Sequence, residues 1–316
     1  TDTADLPAEG RTATLELRIP QLEASATRAT GTMTLEQAEK AIHSLRVVVV
    51  YNKTQVINKK FTSEDLKNGS GIVTLVQVPV GQIDLYVIGN ELSIDNGYTT
   101  TNDGKLLVQD LNRACFPKRG TVFLKESNGT APIGLPMGWI RKGLVIQEGT
   151  NEIDVELERQ VAKLNIRMYN TLSTDITVTE ISFGKFLSDR FYFVRENDLD
   201  VPTDTKYDGI NFTEVGENNS DITIAGGTTE TMVCYVYPSF AWQDSNFPSP
   251  YTIGFKTEKV IYDQHPFVND YNSQLNSITR NTQLNIYATL SRNASANIDF
   301  EVVDWISEEV DVPAFN

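Results

Sequence analysis

Short apolar segments, separated by Gly, Asn, Asp and Pro, run along most of the chain. The first of them, residues 12–19, alternates strictly, with apolar residues at odd positions and polar residues at even positions. A period of two places every second side chain on the same face of a strand, so this segment is predicted to be a half-buried strand. The side chains on its apolar face are Ala13, Leu15, Leu17 and Ile19.

Further elements follow at regular intervals. The residues Thr34-Leu-Glu-Gln37 form a capping-box pattern, which predicts a helix that extends to about Ser44. Residues 45–51 are mostly apolar, as is typical of a strand buried on both faces. Later apolar segments include one at 190–195, which a long polar region, residues 196–219, follows.

The spacing of these segments predicts an all-β fold with minor helix. Short strands separated by turn residues favour antiparallel β-sandwiches with Greek-key connections over alternating β and α units. A chain of 316 residues exceeds what one hydrophobic core usually serves, so two tandem domains are expected. The predicted N-terminal sandwich spans 1–159, including the first strand at 12–20, and the C-terminal sandwich spans 160–316.

Composition narrows the range of partners and cofactors. The chain has 42 acidic and 27 basic residues and a net charge of −15 at pH 7, and such a surface repels nucleic acid and anionic lipid. The two cysteines, Cys115 and Cys234, allow one disulfide, although two buried thiols are favoured. Without Cys/His clusters a structural zinc site is excluded, and no metal or other cofactor is predicted.

The sequence contains few residues or motifs that indicate a catalytic site. The two histidines, His43 and His265, stand outside any recognisable motif, and no nucleophile elbow, P-loop or dinucleotide fingerprint is present. Carboxylates are numerous enough to supply a glycosidase pair by chance. The acidic stretch 197–209 lacks EF-hand spacing, so a solvated loop is favoured over a calcium site. The protein is therefore not expected to be an enzyme.

The C-terminal tail is unusually rich in large apolar side chains. Residues 298–302 alternate apolar and acidic positions, the phase shifts at 303–305 as at a β-bulge, and a second alternation follows at 310–315. The tail is expected to pack either on its own domain or in another molecule. Its apolar residues are Ile298, Phe300, Val302, Trp305, Val310, Val312 and Phe315.

Aromatic side chains are densest between residues 235 and 251, where prolines interrupt them. Such a segment either stacks on sugars or receives another protein, or it lies tucked under its own sandwich. The candidate ligand contacts are Tyr235, Tyr237, Trp242 and Tyr251.

Several segments, taken in order along the chain, resemble the fimbrillin family of Bacteroidales (FimA/Mfa-like, type V pilins). They are EGRTATLELRI at 9–19, ATRATG at 26–31, LRVVVVYN at 45–52, LERQVAKLN at 157–165, Arg280-Asn281, and VVDW at 302–305.

The resemblance implies two transthyretin-like domains and export as an outer-membrane lipoprotein precursor, and the start at Thr1 is that expected of a processed chain. It also implies that an arginine-specific protease cuts between Arg28 and Ala29, removes the first strand and exposes a groove. Arg11 and Arg18 are competing positions. The tail from about 297 to 315 is then expected to fill the groove of another copy or a related pilin.

Three functions stay open on these grounds. The first is a structural fimbrial subunit, stalk or tip, which polymerises and mediates cell adhesion. The second is a non-polymerising surface adhesin or glycan-binding module with a host protein or glycan as its partner. The third is a secreted sandwich hydrolase, which needs carboxylates that converge in one cleft.

Overall fold

The chain forms two compact units, each described here by itself. The computed structural model describes residues 10–22, 34–67, 70–93, 99–100, 106–107, 132–189, 191–193, 195, 199–213, 215–216, 220–269, 271, 273–292 and 296–305. The first unit contains the described residues up to Gln160 together with the segment Phe191–Asp200, and the described residues from Val161 onward otherwise form the second. The segment Phe191–Asp200 thus differs from the expectation that all of 160–316 forms one domain.

The first unit is built from two main sheets. Its sheets have the strand orders β4-β1-β9 and β10-β8-β5-β2-β3, and β6 pairs with β7. Its elements are β1 (Thr12–Arg18), α1 (Leu35–Lys40), β2 (Leu45–Tyr51), β3 (Thr54–Phe61), α2 (Ser63–Leu66), β4 (Ile72–Pro79), β5 (Gly81–Gly89), a 3-10 helix (Glu91–Ser93), β6 (Thr99–Thr100), β7 (Leu106–Leu107), β8 (Met137–Ile146), β9 (Thr150–Asp154) and β10 (Glu158–Arg159).

Helix α1 confirms the predicted capping box but ends early. The Thr34 hydroxyl accepts from the Gln37 backbone N–H, and the Gln37 side chain accepts from the Thr34 backbone N–H. The helix stops at Lys40 rather than near Ser44, because the side chain of Asn90 holds the following segment extended. That side chain donates to the Ala41 carbonyl at 2.9 Å and accepts from the His43 N–H at 2.8 Å.

The second unit is a two-layer sandwich. Its sheets have the orders β15-β11-β18-β19 and β13-β12-β16-β17, with β14 paired to β12. Buried side chains from both sheets form one hydrophobic cluster. Its strands are β11 (Ala162–Asn170), β12 (Ile176–Ser188), β13 (Tyr207–Thr213), β14 (Ile222–Ile224), β15 (Thr229–Val236), β16 (Thr252–Thr257), β17 (Ile261–Pro266), β18 (Thr282–Leu290) and β19 (Ala296–Asp304).

The all-β prediction is confirmed, with differences in detail. Most strand pairs are antiparallel, but each unit also holds one parallel pair that was not expected, β1–β9 and β11–β18. The predicted strand at 190–195 is wrong, since its described residues lie outside any strand. Phe191 and Phe193 alternate there because both rings are buried in the first unit. Strand β13 lies inside the stretch taken as a polar region.

None of the helices in the described ranges is long and apolar enough to cross a membrane.

Cys234 is a buried free thiol, and burial raises its pKa. Cys115 lies outside the described residues.

One carboxylate with two cationic partners joins the 3-10 helix of the first unit to the neighbouring strands β2 and β3. Glu91, in the 3-10 helix, accepts from Arg46 of β2 at 2.6 and 2.9 Å, and Lys60 of β3 lies 3.0 Å from it. The Glu91 side chain is only 10% exposed. Burial alone would raise the pKa of its carboxyl, but the hydrogen bonds from Arg46 and Lys60 outweigh burial and lower that pKa.

We predict that Glu91→Gln destabilises the protein at pH 7 by about 1–3 kcal/mol, because two partly buried cations lose their charged acceptor. A carboxyl whose folded-state pKa is lowered stabilises the fold above its ordinary pKa and loses that contribution as pH falls through the folded value. The difference from wild type, measured by urea unfolding, should therefore shrink below pH 4.5, the ordinary Glu value.

Glu64→Gln is the matched control for this prediction. Glu64 pairs with Lys67, and both side chains are largely exposed, so less than about 0.5 kcal/mol is expected. Equal effects of the two substitutions would contradict the assignment.

Candidate functional site

The first strand occupies the centre of its sheet. Strand β1 pairs with β4 in antiparallel fashion on one side and with β9 in parallel fashion on the other. Beyond the ladders, the Thr14 N–H donates to Gly149 at 2.9 Å, the Ile19 N–H donates to Gly71 at 2.7 Å, and the Arg18 carbonyl accepts from Val155 at 2.8 Å. The backbone of β1 is therefore hydrogen-bonded to the unit along both edges.

One face of β1 is buried in the unit, as its alternation predicted. Ala13 is 7% exposed, and Leu15, Leu17 and Ile19 are fully buried. These residues all sit in or directly after β1, and their sites together are called the β1 slot below. Full burial of three large apolar side chains stabilises the unit by roughly 5–9 kcal/mol, at about 1.5–3 kcal/mol each.

Exposed ion pairs lie at both ends of β1, one at Arg18 and one at Arg11, the residue before the strand. Arg18 contacts Glu152 of β9 at 2.6 Å, and Arg11 pairs with Glu148. All four side chains are at least half exposed, and exposed pairs of this kind contribute little. Apolar burial and backbone pairing thus hold β1 in place.

The ladder between β1 and β4 contains a strained bulge. Ala13 faces Val78 and Leu15 faces Leu75, so Thr14 lies opposite two residues of β4, Val76 and Gln77. Gln77 has a φ of +59°, a left-handed conformation that costs a non-glycine residue about 1–2 kcal/mol. Strand β4 therefore carries a local conformational cost at the point where it faces Thr14.

The proposed cleavage residues Arg28 and Ala29 lie outside the described residues. The competing Arg18 is inside the ladder, with its backbone paired to both neighbouring strands. A protease must take its substrate in an extended, accessible form, so Arg18 is protected while β1 is seated.

The predicted donor residues divide into two groups. Strand β19 pairs with β18 over its full length at the edge of its own sheet. Ile298 and Phe300 are buried in the core of the second unit, whereas Val302 faces outward and is 49% exposed. The remaining predicted donor residues, Val310, Val312 and Phe315, lie outside the described residues.

Trp305 anchors the end of β19. Its ring stacks on Tyr235 at 5.7 Å between centroids and an angle of 11° between planes. The ammonium group of Lys163 lies 5.8 Å from the indole centroid, within the range of a cation–π contact. Trp305 is 6% exposed, so the chain is fixed to the second unit up to this residue.

The candidate ligand contacts in the aromatic segment 235–251 are mostly buried. Of its four candidate ligand contacts, Tyr235, Tyr237 and Tyr251 are at most 3% exposed and belong to the interior. Trp242 is half-buried and packs against the core cluster. The exposed ring is Phe247, at 67%, which was not among the predicted contacts because density of aromatic residues does not distinguish a core ring from a surface ring.

The described residues contain no group of three or more metal-binding side chains. In the acidic stretch, Asp200 is buried and pairs with Arg195 at 2.9 Å. His43 is half-buried, and burial lowers its pKa.

The chain was compared with models of protein families and with curated protein sequences. Residues 13–137 match the family model described as major fimbrial subunit protein (FimA). No curated protein sequence matches the chain significantly.

Three solved structures share the fold over nearly the whole chain, each with a TM-score of 0.53. The tip fimbrial protein Mfa3 of Porphyromonas gingivalis, with a C-terminal truncation, is 14% identical and covers 93% of this chain and 99% of its own. Fimbrilin FimA of the same organism is 15% identical, with 94% and 98% covered. A protein described as a candidate cell adhesion protein of Parabacteroides distasonis is 15% identical, with 94% and 100% covered.

We predict that Gln77→Gly stabilises the protein by up to about 1 kcal/mol, because glycine adopts a positive φ without steric cost. Gln82→Gly in β5, an exposed strand position without a positive φ, should instead cost about 0.5–1 kcal/mol. Urea unfolding of both variants measures the two signs. A loss of stability in Gln77→Gly equal to that in Gln82→Gly would refute strain at the bulge.

Proposed function

We propose that this protein, whose FimA match and fold confirm its resemblance to the Bacteroidales fimbrillins, is a structural fimbrial subunit, stalk or tip. In this proposal it assembles by protease-triggered donor-strand exchange at the cell surface and mediates adhesion, and no enzymatic role is invoked. The observation that carries the proposal is the central position of β1 between β4 and β9, with its whole apolar face buried.

Release of β1 would create an acceptor site. The strand order β4-β1-β9 leaves β4 and β9 with an unpaired edge each once β1 departs, and the β1 slot opens to water. Unpaired backbone groups and exposed apolar pockets are both unfavourable, so an incoming strand that offers main-chain groups and alternate apolar side chains is bound strongly.

The sequence limits where the chain can be cut to release β1. Between Ile19 and Leu35, the last β1 slot residue and the first residue of α1, Arg28 is the single Lys or Arg. An arginine-specific protease that cuts between β1 and α1 therefore acts at Arg28, and the new chain begins at Ala29. We propose export through an outer-membrane lipoprotein precursor before this step.

The donor segment is proposed to lie after Trp305. Undocking β19 would expose Ile298, Phe300 and Trp305, at about 1.5–3 kcal/mol each, and would break the β18–β19 ladder. The sequence continues for 11 residues after Trp305, which reach about 36 Å when extended. The 7 residues of β1 span roughly 23 Å, so this length is sufficient.

The proposed donor carries Val310 and Val312 in one phase and Phe315 in the other, and in this proposal it occupies the slot of another copy or of a related pilin. A head-to-tail contact of this kind generates an open fibre when its rotation does not close into a ring. Ile298, Phe300, Val302 and Trp305, which the sequence pattern also suggested as donor residues, stay with their own unit in this proposal.

Limited trypsin digestion tests the proposal. Wild-type protein cut at Arg28 should form ladders that resist SDS and should grow in light scattering, whereas Arg28→Ala should stay monomeric under the same digestion. A variant truncated after Trp305 should be cut at Arg28 and fail to form ladders, because it keeps β19 but lacks the donor.

The truncation point makes the outcome specific. Removing residues 297–316 would also take a strand from the second unit, so loss of ladders in that variant would report misfolding rather than lost donation. Thermal unfolding of the variant that ends at Trp305 should match wild type. A clean cut at Arg28 that leaves a stable wild-type monomer would refute strand exchange.

A further inference from the structure

The segment between β15 and β16 presents one aromatic ring to solvent on an ordered base. Three tyrosines of this region are interior residues, and the exposed stretch is 243–248. Phe247 lies in that stretch with 67% of its surface exposed. Burial of a large apolar side chain is favourable, so a ring exposed on an ordered base is available to gain from contact with a ligand.

The base of the loop is fixed by buried polar contacts. The Tyr251 hydroxyl donates to the Ser239 carbonyl at 3.0 Å and accepts from the Ala241 N–H at 3.1 Å. Ser239 in turn exchanges two backbone hydrogen bonds with Ile278, at 2.8 and 2.9 Å. Burial raises the pKa of Tyr251 to about 12, so its hydroxyl keeps the proton that it donates.

The tip of the loop is closed by its own hydrogen bonds. The Trp242 indole N–H donates to the Phe247 carbonyl at 3.1 Å, and the Phe247 N–H donates to the Asp244 carbonyl at 3.2 Å. The Asp244 carboxylate accepts from the Asn246 N–H at 2.9 Å. With Pro248 next in the chain, little backbone freedom remains to be lost when a ligand contacts the ring.

The groups around Phe247 select the class of ligand. Its neighbours in the exposed stretch are Gln243, Asp244, Ser245 and Asn246, which carry amide, carboxylate and hydroxyl groups. An aromatic face beside such groups suits a sugar ring, whose C–H face stacks on the aromatic ring while its hydroxyls exchange hydrogen bonds. A protein partner usually covers about 800 Å² of surface around an apolar core, whereas Phe247 is the single exposed large apolar side chain among residues 240–250.

The net charge of the chain narrows the class of sugars that the loop is expected to bind. A net charge of −15 repels sialylated, sulfated or other anionic sugars. We infer that the loop of residues 240–250 is a docking site for a neutral oligosaccharide, with one sugar ring stacked on Phe247 and its hydroxyls bound by Asp244 and Asn246. The inference concerns the second unit alone and does not require assembly into a fibre.

The test uses the full chain as an uncut monomer, so its result does not depend on strand exchange. Wild-type protein is applied to an array of neutral and anionic glycans, and the best neutral ligand is titrated by NMR. Phe247→Ala should weaken binding at least tenfold, and Phe247→Trp should retain it because the aromatic face is kept. Thermal unfolding should be unchanged in both, since the ring is exposed.

Tyr271→Ala is the matched control, because Tyr271 is also an exposed aromatic residue, at 89%, on a different loop. It should bind the neutral ligand as wild type does. Wild-type protein that binds no neutral glycan, or binds only anionic ones, would overturn the inference. Equal binding by wild type and Phe247→Ala would overturn it as well.

Discussion

The N-terminal unit depends on one strand that keeps two other strands in a sheet. In the order β4-β1-β9, both ladders run through β1. Backbone N–H and C=O groups are stable only when paired or hydrated, and apolar pockets only when filled. The unit therefore requires some occupant at this place that pairs on both edges and buries every second side chain. Nothing in this requirement says that the occupant must come from the same molecule.

Strand β19 in the other unit is held in a different way. It is an edge strand, with a ladder to β18 alone. Its retention rests on side chains, because Ile298 and Phe300 lie in the core and Trp305 stacks on Tyr235. Strand β1 has two ladders and one strained neighbour at Gln77, so it is held at least as firmly as the edge strand β19. In the proposed mechanism its release therefore depends on cleavage of the chain and not on weak seating.

An alternating sequence identifies the buried face of a strand but not what covers it. The apolar faces of β1 and β19 were both predicted from their period of two. The partner strands were not, because an alternating pattern does not say which strand lies alongside, and one partner of β1 is more than 100 positions away, as in Leu17 with Ile153. The same limit explains Phe191 and Phe193, whose alternation came from two rings entering one core. Tyr251 was predicted to contact a ligand, because the amino-acid sequence does not reveal that its hydroxyl donates a hydrogen bond to the Ser239 carbonyl inside the protein.

Recognition and assembly are physically separable in this chain. The contacts that shape the loop of residues 240–250 involve Tyr251, Ser239 and Ile278, all in the second unit, whereas the β1 slot lies in the first. Exchanging the occupant of the slot leaves those contacts intact. A single sugar ring stacked on Phe247 buries little area, so it supports only weak affinity once the costs of association are met. Repetition of the loop along a fibre would raise the effective affinity by 10²–10⁴-fold, roughly, without any new contact. Weak recognition by each subunit is thus compatible with firm adhesion by the polymer.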